Sequence, residues 1–102
     1  KRLGLMNNKG IRDDQGMLFL YDKEDFYGIW MKNTIIPLDV IWINGEGVVV
    51  FTAHDFQPCK EEFCPTITND VKAQYILEVN AGLINKKGIK LGSIVRIRLI
   101  NK

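Results

Sequence analysis

The sequence predicts a mainly β domain of the α+β kind: a small β-barrel or a strongly bent antiparallel sheet with one or two short helices. Three observations predict it. About six short apolar runs rich in Val, Ile, Phe, Tyr and Trp follow one another closely, a spacing that suits strands. Gly, Asn and Pro stand between these runs at positions where chain reversal is needed. Helical pieces are at most two, and the one around Leu83 to Lys87 ends as helices do, with a glycine behind two lysines. A chain of 102 residues, 46% hydrophobic and 25% charged, is the size of one globular domain, residues 1–102, with a core large enough to need no metal.

The elements are expected in this order. Gly16 opens a strand over Met17 to Tyr21, Gly28 opens Ile29 to Lys32, and Pro37 opens Leu38 to Ile43. Asn44-Gly45-Glu46-Gly47 is a hairpin connection to a strand over Val48 to Ala53. A loop through the two cysteines leads to a strand over Tyr75 to Val79, then to the helix that ends at Gly88. Gly88 to Val95 reads as a turn feeding a barrel-closing strand, Ile94 to Ile100. Leu3 and Leu5-Met6 read as the end of an apolar helical face whose earlier turns are missing.

Net charge is +2, but the distribution is lopsided. After Glu78 there is no acid, while Lys86, Lys87, Lys90, Arg96, Arg98 and Lys102 are all basic, so the first 78 residues hold 8 bases against 12 acids. Arg96 and Arg98 alternate with Val95, Ile97 and Leu99, which puts both arginines on one face of a strand. Lys86, Lys87, Lys90, Arg96 and Arg98 are therefore a candidate anion surface, and reversing Arg96 and Arg98 to glutamate is expected to abolish binding to an anionic polymer. The small overall charge argues against nucleic acid as the partner. No apolar run reaches the roughly 18 residues of a membrane span, and Lys1-Arg2-Leu3-Gly4 lacks the apolar core of a signal peptide.

Cys59 and Cys64 lie in a polar loop flanked by Pro58 and Pro65. A disulfide here would contribute about 2 kcal/mol in the chain-entropy model, a modest amount because the loop is short. A metal would need further ligands, and only His54 and nearby carboxylates are at hand; the spacing is not that of a two-residue redox motif. The disulfide is the reading taken, with free thiols as its main rival, and if formed it argues for export.

The most informative segment runs from Trp30 to Asp39, where Lys32 and Asp39 bracket a turn in the most apolar part of the chain. Strand alternation puts Asp39 with Ile41 and Ile43, and Glu78 with Ile76 and Asn80, so both carboxylates are candidates for an apolar side. The preferred reading is a polar network in which Lys32, Asn33, Thr34 and Asp39 satisfy one another, since a lone buried charge is expensive. On that reading, Asp39→Ala costs about 2 to 4 kcal/mol if the pair is buried. A ligand cleft edged by the same groups, and acid–base catalysis by Asp39 and Glu78, are the alternatives. His54 reads as a strand-end residue and Ser93 as a strand start without a nucleophile elbow. Tyr27, Trp30 and Trp42 read as core or rim aromatics, or as a platform on which a sugar or peptide could stack. Phosphate loops, zinc spacings and an RNA-stacking motif are absent, so neither cofactor nor metal is expected.

Gly4-Leu5-Met6, Gly16-Met17-Leu18-Phe19, Trp30 to Asp39, and Leu77-Glu78-Val79-Asn80-Ala81-Gly82 occur in this order over essentially the whole chain. Together they resemble the signature of the family known as domain of unknown function 192. The resemblance implies a compact, mainly β domain often found behind an export signal, and no established activity. It implies a central motif of Trp30, Met31, Lys32, Asn33, Thr34, Pro37, Leu38 and Asp39, a second of Leu77, Glu78, Asn80, Ala81 and Gly82, and a cysteine loop like that of many exported members. Ile29, Asn8 and Ser93 depart from the pattern, where an aromatic, an arginine and an aspartate are usual.

The functional expectation is a non-enzymatic binding or structural module of the cell envelope, exported or periplasmic, with its signal or anchor outside this chain. Candidate binding residues are Trp30, Lys32, Asn33, Thr34, Asp39, Glu78 and Asn80, and the partner expected is an anionic envelope polymer or glycan. The alternative is an envelope hydrolase or transferase acting on a polysaccharide or peptide.

Overall fold

The computed structural model describes residues 11–32 and 34–98. Its elements are β1 (Met17–Asp25), β2 (Gly28–Trp30), β3 (Leu38–Ile43), β4 (Val49–Phe56), β5 (Thr66–Thr68), β6 (Ala73–Asn80) and α1 (Leu83–Lys87). The expected helical end at Leu3 to Met6 lies outside the described residues.

Four strands pair in the order β1-β6-β3-β4, and β2 pairs with β5 in a separate two-stranded sheet. All these pairings are antiparallel. β3 is central and every residue in it is buried, which explains a run, Leu-Asp-Val-Ile-Trp-Ile, without polar alternation. One face of the sheet gathers Phe19, Val40, Trp42, Ala53, Ala73 and Ile76, with Ile29 of β2 and Ile67 of β5 packed on it. The opposite face gathers Ile41, Ile43, Val49 and Val79 under Leu83 and Ile84 of α1. The result is three layers with β3 in the middle.

The sheet bends without closing into a barrel. Between Leu38↔Phe56 and Val40↔Ala53, β4 spends one residue more than β3, and it does so again between Trp42↔Phe51 and Ile43↔Val49. Each bulge sharpens the local twist. Asp55 takes up the first with a positive φ of 50°, a conformation that aspartate tolerates better than most residues.

The hairpin forms as the sequence predicts. Asn44 N–H donates to Val48 O and Gly47 N–H to Asn44 O, while Asn44 Oδ1 accepts the N–H groups of Glu46 and Val48. α1 also ends as expected: Gly88, at φ 68°, donates to Asn85 O, and Ile89 N–H reaches back to Ile84 O. β5 was not foreseen, because Thr66-Ile67-Thr68 is too short to stand out.

The expected last strand is a correction. Within 94–98 only Ile94 pairs, through an isolated bridge to Val48. Continued antiparallel from Val48↔Ile94, the register sets Arg96 opposite Glu46, inside the hairpin turn, where no strand edge exists to pair with. Exposure still alternates, with Ile94, Arg96 and Arg98 outward and Val95 and Ile97 half-buried. Leu99 to Lys102 lie outside the described residues.

Candidate functional site

Asp39 is only 1% exposed, yet its carboxylate is fully occupied. Oδ1 accepts Asp55 N–H at 2.8 Å, and Oδ2 accepts Gly82 N–H at 3.0 Å and Ile84 N–H at 2.9 Å. The carboxylate thus satisfies the first turn of α1, whose own N-cap residue, Gly82, has no side chain to do so. It also holds the β4 bulge at Asp55. One side chain of β3 therefore ties together the chain on both of its neighbouring sides.

This overturns the expected pairing of Lys32 with Asp39. Lys32 instead donates from Nζ to the carbonyl oxygens of Glu61 and Glu62, at 2.5 and 3.2 Å. Its backbone forms a parallel bridge with Cys59, whose N–H donates to Met31 O at 3.1 Å. The reason is the direction of the chain. The segment after β2 turns toward the cysteine loop, and β3 then carries Asp39 under α1. Thr34 is buried, with its N–H donating to Met31 O; Asn33 lies outside the described residues.

Asp39 and Glu78 do not form an acid–base pair. Val40 stands opposite Glu78 and Asp39 opposite Val79, and directly opposed residues share a face. The two carboxylates therefore point to opposite sides of the sheet. Glu78 is 5% exposed, on the Val40 and Trp42 side, and is not without an interaction partner. Gly16 shows how tightly this region is built: a Cβ on it would lie 2.8 Å from Glu78 O.

Asn80 belongs to a different, surface network. Its Nδ2 donates to Ile11 O at 2.7 Å and to Asp13 Oδ1 at 3.1 Å, and Asp13 Oδ2 pairs with Lys86 Nζ at 2.9 Å. The hydrogen bond from Lys86, helped by that from Asn80, lowers the Asp13 carboxyl below its usual range, and Asp13 in turn raises the Lys86 ammonium. Lys86, expected as part of an anion surface, is thereby paired with an acid, and Lys87, Lys90, Arg96 and Arg98 are exposed.

The aromatics divide by depth. Trp42 is fully buried, donates from Nε1 to Tyr27 O at 2.9 Å and meets Phe51 edge-on. Tyr27 stacks on Tyr21 with ring centroids 3.7 Å apart and donates its hydroxyl to Lys23 O. Burial, with Asp25 next in effect, raises the Tyr27 hydroxyl above its usual range. Trp30, in contrast, is 42% exposed, opposite Thr66 on the outer face of the small sheet. Three residues before Thr66 stands Phe63, 83% exposed. Sequence reasoning passed over Phe63, although an aromatic between two glutamates and a cysteine in an otherwise polar loop was the available signal.

Cys59 and Cys64 are bonded to each other, with Cα atoms 5.9 Å apart. The bond closes the loop that carries Glu61, Glu62 and Phe63, and therefore holds in place the carbonyls that grip Lys32. A groove of about 320 Å³ runs beside it, lined by Phe56, Gln57, Pro58, Cys59, Lys60, Glu61 and Pro65. Purified without reductant, the protein is expected to offer no alkylatable thiol by mass measurement. Reduction is expected to lower its unfolding free energy by about 2 kcal/mol in urea titrations, and an unchanged midpoint would mean that the loop keeps its shape unaided.

His54 is exposed, with Nε2 at 3.3 Å from Thr52 Oγ1. Ser93 Oγ accepts Lys90 N–H and closes the turn before Ile94. Among the described residues, no group of three or more His, Cys, Asp and Glu side chains could hold a metal ion, and no helix is long and apolar enough to cross a membrane.

The chain matches the model of the DUF192 family, described as an uncharacterised ACR, over residues 1–97. A protein of unknown function from Novosphingobium aromaticivorans DSM 12444 is 33% identical, with a TM-score of 0.85 over 93% of this chain and 66% of its own. A protein from Sinorhizobium meliloti 1021, for which a role in transcription regulation has been suggested, is 32% identical, with a TM-score of 0.83 over 90% of this chain and 69% of its own. The chain thus spans about two thirds of each of these proteins. None of the curated proteins matches it.

Proposed function

We propose, from the premise that this chain belongs to the DUF192 family of uncharacterised proteins, that it is a non-enzymatic binding module working outside the cytoplasm and holding a glycan of the cell envelope. The observation that carries this reading is the disulfide-closed loop that presents Phe63 to solvent and leads, three residues on, to Thr66, the strand partner of the exposed Trp30. A disulfide persists in oxidising compartments. Exposed aromatic side chains, Trp30 on a strand and Phe63 on a loop that the covalent bond and Lys32 keep in one shape, suit stacking against the apolar face of a sugar ring.

The opposite facing of Asp39 and Glu78 supports binding over hydrolysis, because retaining and inverting glycosidases alike need two carboxyl groups flanking one bond. Asp39 also has no oxygen to spare for a substrate, having given both to backbone N–H groups. The transcriptional role suggested for the Sinorhizobium meliloti protein draws little support from a net charge of +2.

Tryptophan fluorescence tests the reading directly. Trp42 is enclosed and Trp30 is not, so a ligand on the proposed face changes the emission of Trp30 alone. Titration with soluble peptidoglycan fragments and envelope polysaccharides is expected to give a saturable change, weakened about tenfold by Phe63→Ala, in line with the loss of one stacking partner. Trp30→Phe removes the reporter, so its affinity is read by calorimetry; if it and Phe63→Ala both retain the full affinity, the aromatic face is not the site.

A further inference from the structure

The second apolar exposure lies on the far side of α1 from the disulfide loop in sequence, and it is independent of the glycan reading. Ser93 N–H donates to Lys90 O, and Lys90 N–H to Ser93 Oγ, which makes Lys90 to Ser93 a closed turn with Gly92 at φ 91°. The turn is fastened to the body: Gly92 N–H donates to Val49 O, Val49 N–H to Ser93 O, and Val95 N–H to Gly47 O. Beneath it, Ile89 and Val95 pack on the cluster of Ile41, Ile43 and Ile84. Above it, Leu91 is 63% exposed and Ile94 70% exposed. Two aliphatic side chains are thus held out in water by a well-bonded turn.

Cations flank them along the chain. Lys87 ends α1, Lys90 opens the turn, and Arg96 and Arg98 follow on the same outward alternation as Ile94; all four are exposed. None of the four makes an ion pair among the described residues, whereas Lys86 is neutralised by Asp13. The sequence carries no acid after Glu78. Glu46, in the adjoining hairpin, is the acid that the register brings nearest, and it forms no ion pair with Arg96.

We propose that this turn is a docking tip for an anionic lipid bilayer, with Leu91 and Ile94 entering the interfacial layer and Lys87, Lys90, Arg96 and Arg98 meeting the headgroup phosphates. A soluble polyanion would use the charges and leave both aliphatic side chains in water. A bilayer uses both, because its phosphates lie just outside the acyl boundary that accepts apolar groups. The contact is peripheral and reversible, as expected when two side chains rather than a helix enter the lipid.

Co-sedimentation with vesicles tests it. At an ionic strength of about 0.1 M, where charges are felt over about 10 Å, the chain is expected to bind vesicles of equal phosphatidylglycerol and phosphatidylcholine and to ignore pure phosphatidylcholine. Arg96→Gln with Arg98→Gln is expected to weaken binding about thirtyfold, and Leu91→Gln with Ile94→Gln about tenfold. All four side chains are exposed, so circular dichroism of each variant is expected to match the parent. Failure of the parent chain to bind the anionic vesicles overturns the proposal. So does full binding by the Leu91 and Ile94 variant, since a site indifferent to its apolar tip is a charge site only. In that case equal binding to duplex DNA or polyphosphate would identify a soluble polyanion as the occupant.

Discussion

Replacing Asp39 with alanine is expected to cost about 3 kcal/mol, because it leaves the buried N–H of Ile84 and the part-buried N–H groups of Asp55 and Gly82 without their acceptor. Asparagine is expected to recover part of the loss, since its one carbonyl oxygen serves one side of the site while its amide group faces further donors. The comparison that decides the assignment is Lys32→Ala. The Lys32 ammonium binds carbonyls of an exposed loop, and its removal is expected to cost about 1 kcal/mol. The two groups share no partner, so urea titrations of the double variant should show additivity within about 0.5 kcal/mol. A coupling well beyond that would restore the direct Lys32 and Asp39 pairing that the sequence suggests.

Trp42→Ala is expected to have an effect of similar size, about 3 to 5 kcal/mol, through the cavity it leaves where both sheets meet. The variant also takes the indole donor from Tyr27 O. Phenylalanine at this position fills much of the space but cannot donate, and is expected to cost less, about 1 to 3 kcal/mol, most of it for the carbonyl left unpaired. The same variant has a spectroscopic use: its emission comes from Trp30 only and is expected at longer wavelength than that of the parent chain. If Trp42→Phe unfolds with an unchanged midpoint, the Tyr27 carbonyl has another donor to turn to.

Part of the site was legible because it depends on neighbours along the chain. The disulfide joins residues five apart, the hairpin needs only Asn44 to Gly47, and the end of α1 needs only Gly88 behind its last turn. The alternation of Ile94, Arg96 and Arg98 likewise survives without strand pairing, because Val95 is drawn inward by Gly47 O and by the cluster beneath it. Lys32 and Asp39 were misread for the complementary reason. Their closeness in sequence and opposite charge suggested a pair, but each found carbonyls or N–H groups from segments some 16 to 45 residues away.

The sequence by itself determined the class of fold, most strand positions, the short helix α1, the hairpin, the cysteine pairing and the family, since each follows from local periodicity, turn chemistry or a motif read in order. Only the tertiary structure decided that the sheet bends through two β4 bulges instead of closing, that Asp39 caps α1 from the neighbouring strand, and that Asp39 and Glu78 face apart. The physical reason is register. A side chain's face on a strand is known from its own alternation, but which face of the next strand it joins depends on pairing across the sheet, and one residue of slip exchanges inside for outside.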